Sequence, residues 1–353
     1  MGDQPFRKAI VSIGVVVIGR NEGARLVRCL ESVAGPDRTV VYVDSSSSDG
    51  SVAMARARGV EVLELDMSIP FCAARARNDG FTRLVQCDSR VEFVQFVDGD
   101  CEIAQDWMST AAQELSSRPE LAVVAGWMHE RFPEASIYNR IGEVEWNFSG
   151  TGEVESVGGV FMARREAFES VGGFDTTLTA GEEPELCLRL RRKGWKILRL
   201  DHRMAWHDLA MTRFSQWWTR QVRNGYGSAD VGGRFSMPKF QSINRRVKGW
   251  AIWLVALPLV GTAVGVAAGA AAGWLSALFL LAIWPAQVVR VAIRDAHRLN
   301  SRSVALAYAF FIMAGYFPQM LGHVKYLADR LRGRTNRLIE YKMVKSQTKR
   351  SDN

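Results

Sequence analysis

The sequence predicts an α/β fold: a mostly parallel sheet covered by helices on both faces, joined to a C-terminal membrane region. Three observations predict it. Short apolar runs alternate with helical stretches between residues 14 and 230, the pattern of parallel strands linked by crossover helices. Several of these runs end in acidic or amide residues, and ligands in open α/β sheets bind outside the carboxyl ends of the strands. From Trp250 up to Arg290 there is no charged residue, enough chain for two spans of ~20 residues each.

Gly14-Val15-Val16-Val17-Ile18 is a continuous apolar run, read as a buried parallel strand, and Gly19-Arg20-Asn21-Glu22 leads from it into a helix with Leu26, Leu30 and Val33 on one face. Thr39 to Val43 is a second strand that ends at Asp44 and opens into the hydroxyl-rich run Ser45 to Ser51. A third strand is expected near Val60–Leu65, and Ala73 to Phe81 begins a helix. The organising stretch is Phe93-Val94-Gln95-Phe96-Val97-Asp98-Gly99-Asp100-Cys101-Glu102, a short strand handing two carboxylates to the mouth of the sheet. Acids spaced in this way suit a hard divalent cation that completes its shell with water and phosphate oxygens. They also suit a helix N-cap, with a helix starting at Glu102-Ile103-Ala104-Gln105.

Leu121 to Gly126 reads as a further short strand, and Glu130 to Arg140 as a charged and aromatic loop or helix, either lining one side of a site or a solvated face. Ser156 to Ala163 reads as a strand with Gly158-Gly159 at its entry, glycines that permit close backbone approach of a ligand or another strand. A short helix follows from Arg165 to Gly172. Gly181-Glu182-Glu183-Pro184-Glu185 opens a helix with Pro184 in its first turn. Acids there also stabilise a helix start, a sufficient role for Glu185. A strand near Lys196–Leu200 precedes Trp206-His207-Asp208; a lone histidine of this kind is either packed or a ligand. The stretch Arg213 to Arg223 is basic and aromatic at helical spacing, and Trp218, Arg220 and Arg223 suit an interfacial helix or a gate over a bound ligand.

The formal net charge is +8 and the five cysteines include no Cys-x-x-Cys pair, which argues against a disulfide framework or a zinc finger and fits a reducing cytosol. No Gly-x-Gly-x-x-Gly follows the first strand, so a Rossmann dinucleotide site is not expected. No nucleic-acid-binding signature accompanies the positive charge. Nor is a secretory signal expected, since Ile10 to Ile18 is short and interrupted by Ser12 and Gly14.

Together these pieces resemble a family 2 glycosyltransferase of the GT-A fold, in the membrane-anchored bacterial form. The resemblance covers roughly residues 11–227. It is carried by Val16 to Glu22, Val43 to Ser51, Ala76-Arg77-Asn78 and Asp98-Gly99-Asp100, and by the Gly-Gly-Val-Phe and Gly-Gly-Phe-Asp patterns at Gly158 and Gly172. It implies that Asn21, Glu22 and Asp44 meet the nucleotide, that Arg75 or Arg77 approaches the diphosphate, and that Asp98 and Asp100 bind it through Mn²⁺ or Mg²⁺, with His207 near the metal. It also implies an acceptor site flanked by the Gly-Gly patterns, with Gly158 and Gly159 at the substrate, and it suits a gate over acceptor and diphosphate at Trp218, Arg220 and Arg223; Glu182 is a further substrate-binding candidate or, like Glu185, a stabiliser of its helix start. Where the family has Glu-Asp, with the Asp as general base, this chain has Glu182-Glu183, so Glu183 takes that role with a side chain one methylene longer.

The organisation expected is a catalytic domain over residues 1–230, a linker or interfacial segment over 231–249, a membrane region over 250–328 and a basic tail over 329–353. Gly269 to Gly273 with Trp274 is the expected turn between two spans, and Gly261, Gly265 and Gly269 would let them pack closely. The third apolar segment, Val304 to Leu321, is interrupted by Gly315 and Pro318. The basic loop after Arg290 and the basic tail favour two full spans plus a re-entrant or interfacial helix, with three spans as the alternative and the catalytic domain at the cytoplasmic face of a bacterial inner membrane. The function expected is metal-dependent, inverting transfer of a sugar from a nucleotide-diphospho-sugar (UDP-, GDP- or dTDP-linked) to a lipid-linked saccharide in cell-surface polysaccharide synthesis. Alternatives are transfer to a polyprenyl phosphate, which needs no base, nucleotidyl transfer, and a non-catalytic membrane scaffold.

Overall fold

The structure, a computed structural model, describes residues 12–146, 150–299 and 301–333. The chain forms two units: one of residues up to Arg131 together with Glu145–Leu209, the other of Phe132–Val144 and the chain from Ala210 onward.

The first unit is built on a nine-stranded sheet. Its elements begin β1 (Ile13–Gly19), α1 (Ala24–Val33), β2 (Arg38–Asp44), α2 (Ser51–Ala57), β3 (Glu61–Glu64), α3 (Ala73–Cys87) and β4 (Phe93–Asp98). They continue with β5 (Cys101–Ile103), α4 (Trp107–Ser117), β6 (Leu121–Glu130), a helix α5 (Ile137–Trp146) whose last residues belong here, β7 (Gly152–Glu153), β8 (Phe161–Arg164), α6 (Arg165–Ser170), α7 (Glu182–Arg192) and β9 (Lys196–His207). The strand order is β3-β2-β1-β4-β8-β6-β9-β5, with β7 also on β9. Strands β1 to β4 pair in parallel, as do β6 and β9, whereas β8 runs antiparallel to β4 and β6.

The apolar runs bury on both faces, as expected of parallel strands: Val15, Val16, Val17, Val41, Val43, Phe96 and Val97 are core residues. Helix α3 packs on β1 and β2 through Gly80, where a Cβ would come within 2.5 Å of Val16 and 2.7 Å of Val43. Phe96, Phe161, Phe168 and Phe174 form an aromatic cluster with centroids 5.2–6.2 Å apart, fixing β8 and the helix after it under β4.

Several boundaries differ from expectation. The segment after Asp100 is the strand β5 rather than a helix start, because Cys101 and Ile103 turn inward and pair antiparallel with β9. The strand that holds the Gly pair starts only at Phe161, leaving Gly158 and Gly159 in the loop before it. The strand at Lys196 extends to His207, since its polar middle, Asp201 to Arg203, lies at the surface while Met204 and Ala205 return to the core.

The second unit is helical: α8 (Phe214–Phe235), α9 (Pro238–Ala268), α10 (Ala270–Asp295) and α11 (Arg302–Leu331). The expected boundary at residue 230 falls inside α8, and the expected linker over 231–249 is occupied by the end of α8 and the start of α9. Among the described residues, three helices, of 31, 26 and 30 residues, are long and apolar enough to cross a membrane. The turn falls at Gly269, whose φ is +91°. Gly261 and Gly265 face Gly273, where a Cβ would lie 2.7 Å from Gly265 Cα. Helix α11 runs through Gly315 and Pro318 without a break, because both are buried on this helix and Gly315 lies beside the side chains of Gln221 and Gln319. Most of the basic tail, residues 334–353, lies outside the described residues.

Helices α8 and α11 cross at glycines: a Cβ on Gly322 would fall 2.2 Å from Val222 O and 2.6 Å from Tyr226 N. Backbone cannot yield as a side chain does. Gly322→Ala should therefore destabilise the purified protein by about 1–3 kcal/mol, whereas Gly249→Ala, at an open position of α9, should be neutral or gain up to about 1 kcal/mol of helix propensity. Equal melting temperatures for the two variants would contradict this packing.

Candidate active site

The site lies at the carboxyl ends of β1, β2 and β4, where α3 and α7 begin. Arg77 is its centre. This guanidinium is buried, its side chain 3% exposed, and donates from Nη2 to Asp98 Oδ1 at 2.9 Å and from Nη1 to Glu182 Oε1 at 3.2 Å and Glu183 Oε1 at 3.1 Å. The carboxylates hold Arg77 more firmly protonated than usual, against the opposing cost of its burial. Desolvation, and then the neighbouring Glu182, push the Glu183 carboxyl up to about 7, while Arg77 pulls the other way. Gly159 closes the cluster: a Cβ there would lie 2.5 Å from Arg77 Nη2, 3.1 Å from Asp98 Oδ2 and 3.2 Å from Glu183 Oε1. Gly158 beside it faces open space.

Gly99 places the acidic turn. Its N–H donates to Ile18 O at 2.8 Å, and a Cβ would press on that same carbonyl at 3.2 Å. The turn is thereby laid on the end of β1, and Asp98 and Asp100 leave it toward different partners. Asp100 is buried against His207, with Nε2 3.4 Å from Oδ2, and Cys101 Sγ lies 3.9 Å from Oδ1. Asp100, Cys101 and His207 offer donor atoms that all lie within 4.8 Å of one another. The other ring nitrogen of His207, Nδ1, points to buried Glu130 at 3.8 Å, and Trp146 packs edge-on at 4.4 Å. A buried carboxylate, thiol and imidazole with a second carboxylate behind the imidazole form a donor set that fits a divalent cation.

The first two strand ends form a separate polar rim. Asp44 accepts from Tyr42 Oη at 2.8 Å and Ser47 N at 2.8 Å. Burial and the Asp44 contact raise the Tyr42 phenol, keeping it a donor. Asn21, in the left-handed region at φ +54°, donates its N–H to Ser47 Oγ at 2.9 Å and accepts from Ser48 N at 2.7 Å, so the ends of β1 and β2 are stitched together. Glu22 pairs with Arg25 at 2.7 Å.

Most of the residues singled out from the sequence in the first unit thus gather in two adjoining clusters and this rim. Asp98 faces Arg77, while Asp100 and His207 face each other. Of the two arginines, Arg77 is committed to carboxylates, and Arg75, also buried, leaves Nε and Nη2 without a hydrogen-bond partner. Trp218, Arg220 and Arg223 lie on α8 in the second unit. Cys101, Glu130 and Tyr42 were not singled out. Cys101 directly follows Asp100 in sequence, but only the register, with Cys101 and Glu130 both paired to His207, reveals their place.

The Cβ geometry separates the paired glycines. Gly159→Ala should displace Arg77 and lower the melting temperature as expected for about 1–3 kcal/mol of overpacking, and Gly158→Ala should leave it unchanged. Equal effects in a thermal-unfolding comparison would refute the packing of Gly159 on Arg77.

Residues 14–172 match the profile of glycosyl transferase family 2 and residues 144–213 that of the N-terminal domain of galactosyltransferase. A curated relative, the pre-mycofactocin glycosyltransferase of Mycobacterium tuberculosis, is 25% identical over 266 residues, covering 72% of this chain and 54% of the relative. The chain thus spans about half the length of the curated relatives it matches. Among solved structures, the mannosyltransferase PcManGT from Pyrobaculum calidifontis, in complex with GDP-Man and Mn²⁺, is similar with a TM-score of 0.54 at 21% identity, over 90% of this chain and 88% of that one. Glucosyl-3-phosphoglycerate synthase from Mycobacterium tuberculosis, in complex with Mn²⁺ and UDP-Glc, has a TM-score of 0.46 at 17% identity, over 65% of this chain and 81% of that one. The profile match and a GT-A-like sheet whose strand ends gather these acids point the same way: residues 14–172 are similar to the glycosyl transferase family 2 domain.

Proposed function

We propose that this chain is an inverting, metal-dependent glycosyltransferase that moves a sugar from a nucleotide-diphospho-sugar to an acceptor hydroxyl. One observation carries the reading: a largely buried carboxylate, Glu183, is raised to about 7 and anchored through Arg77 to Asp98. A general base is most effective with a pKa near the working pH. Glu183 takes the proton of the acceptor hydroxyl as that oxygen attacks the anomeric carbon, and the nucleoside diphosphate departs from the opposite face.

Asn21, Glu22 and Asp44 receive the base and ribose at the rim of β1 and β2. Arg75, with unpaired N–H groups, is the candidate cation for the diphosphate. Asp100 and His207, with Asp98 nearby, are the candidate holders of Mn²⁺ or Mg²⁺. Such an ion, when bound, neutralises charge growing on the diphosphate. Gly158, Gly159 and Glu182 border the acceptor side. Trp218, Arg220 and Arg223 are assigned to an interfacial or gating role on α8. The relative's name and the GDP-Man and Mn²⁺ in the similar structure support this class of chemistry.

The acceptor is assigned as a lipid-linked saccharide of cell-surface polysaccharide synthesis, at the cytoplasmic face of a bacterial inner membrane. What supports it is apolar surface: Ile252, Val266, Trp274, Phe279 and Ile293 are each more than two-thirds exposed, far more than a soluble helix bundle leaves in water. An anchored enzyme meets a lipid-linked acceptor at raised effective concentration.

Glu183→Gln should abolish transfer, by ~10²–10⁴ for loss of a positioned base, while nucleotide-sugar binding persists. Undiminished turnover would remove the base and favour an acceptor that is already an anion, such as a polyprenyl phosphate. The pH profile of kcat/KM should rise through about pH 7 as Glu183 loses its proton, and this rise should be absent from the residual activity of Glu183→Gln. Because the native pKa lies above the unfolded one, the folded state binds the extra proton between ~4.3 and 7, and the contribution of this group to stability falls as pH rises through that window. A panel of nucleotide-sugars, assayed for nucleoside diphosphate release with membrane lipid extract as acceptor, tests the activity itself. Release of pyrophosphate instead would indicate nucleotidyl transfer.

A further inference from the structure

We infer that Cys101 is a thiolate ligand of the metal site, so that this site prefers a borderline-soft divalent cation of the Zn²⁺, Co²⁺ or Cd²⁺ class over Mn²⁺ or Mg²⁺. The inference rests on the metal-dependent reading above and deepens it. Cys101 is 1% exposed, the first residue of β5, and lies opposite His207 on β9. Paired residues of neighbouring strands present their side chains on one face, so thiol and imidazole project together. Asp100 is tied into the same corner, its carbonyl accepting from Asp208 N at 3.0 Å. Carboxylate, thiol and imidazole donors therefore lie within 4.8 Å of one another.

A second feature points to a ligand rather than to chance burial. His207 is 7% exposed, and its Nδ1 has no hydrogen-bond partner but faces Glu130 at 3.8 Å. A carboxylate placed on the far side of an imidazole is the arrangement at many metal-ligating histidines, and a small approach of Glu130 to Nδ1 would set the tautomer that leaves the opposite nitrogen's lone pair for an ion. Nε2 is the nitrogen facing Asp100.

On binding, the Cys101 S–H bond breaks, its proton goes to solvent, and sulfur replaces a water on the ion. The carboxylate and thiolate then balance the two positive charges. Three protein donors leave positions open for substrate oxygens. Thiolate selects for softer ions, whereas a set of carboxylate and imidazole alone discriminates less strongly between Zn²⁺ and Mn²⁺.

The test is the spectrum of the purified full chain in detergent, titrated with Co²⁺. A thiolate-to-cobalt charge-transfer band in the near ultraviolet is expected, displaced by Zn²⁺ at far lower concentration than by Mn²⁺. Cys101→Ser should lose the band while still binding Mn²⁺, and its preference for Zn²⁺ over Mn²⁺ should fall at least about tenfold, since losing a ligand costs no less than losing an outer-shell partner. Cys29→Ser should keep the band; Cys29 Sγ contacts the Asp98 carbonyl at 3.7 Å. Co²⁺ binding to the unaltered protein without the band would overturn the thiolate assignment and leave the metal-dependent reading standing, and that spectrum requires no variant to fold. Failure of Co²⁺, Zn²⁺ and Mn²⁺ alike to bind, by calorimetry with and without nucleoside diphosphate, would overturn both.

Discussion

Burying one guanidinium among three carboxylates is the constraint on which the site depends. Arg77 comes from α3, Asp98 from the end of β4, and Glu182 and Glu183 from the first turn of α7. These elements are far apart in sequence, and the shared cation holds them at one point. A buried pair is poor evidence of net stability, but removing one partner leaves uncompensated charge and costs about 3–5 kcal/mol. What the cluster visibly does is hold α3, β4 and α7 to one cation. It fixes how α7 meets β4, and it needs a glycine at 159 because any side chain there would occupy the space of the guanidinium. It also tunes the Glu183 carboxyl: desolvation and Glu182 raise it, and Arg77 keeps the rise from going further, which suits the proposed role of base.

Asp98 and Asp100 are separated by a residue, yet they serve different partners. An extended strand would aim both at the same face. The chain instead turns at Gly99, whose N–H is spent on the Ile18 carbonyl, and the following strand reverses onto β9. Asp98 is thereby given to the arginine cluster and Asp100 to the imidazole and thiol. The two clusters remain neighbours in sequence across the single residue Gly99.

Much of this was legible in the sequence, and what was not has a common cause. Apolar runs ending in polar residues located β1, β2 and β4, because buried parallel strands need an unbroken apolar signal. The acids at their ends, with Glu183 and His207, were legible because a chain places such residues at strand ends and helix starts for few reasons. The length of β9 was not, since Asp201-His202-Arg203 breaks the apolar pattern where the strand crosses the surface. The division of labour between Arg75 and Arg77 was not legible either. Both precede Asn78 by short steps in one helix, and only the positions of three distant carboxylates decide which is occupied. Gly315 and Pro318 suggested a broken third helix, but α11 continues past them because residues from α8 pack at that point, a tertiary compensation without local signature.

Cys101 and Glu130 were invisible for a deeper reason: their role is a consequence of register. His207 is paired with Cys101 on one side and with Glu130 on the other, so the cluster of Asp100, Cys101 and His207 exists only where β5, β9 and β6 are all in phase. A slip of one residue in a strand sends every side chain to the opposite face. Between β6 and β9 the register shifts at Leu121/Val123, Ala125/Trp127 and Trp127/Met128. Bulges of this kind re-aim side chains near functional sites. Gly126 lies within this irregular stretch and could not carry a side chain, as its Cβ would meet His202 O at 2.5 Å. The irregular pairing of β6 with β9 is thus what brings Glu130 behind His207 and leaves Nε2 facing Asp100. The geometry of the proposed ligand set is therefore decided in the middle of the strands, well away from Asp100, Cys101 and His207 themselves.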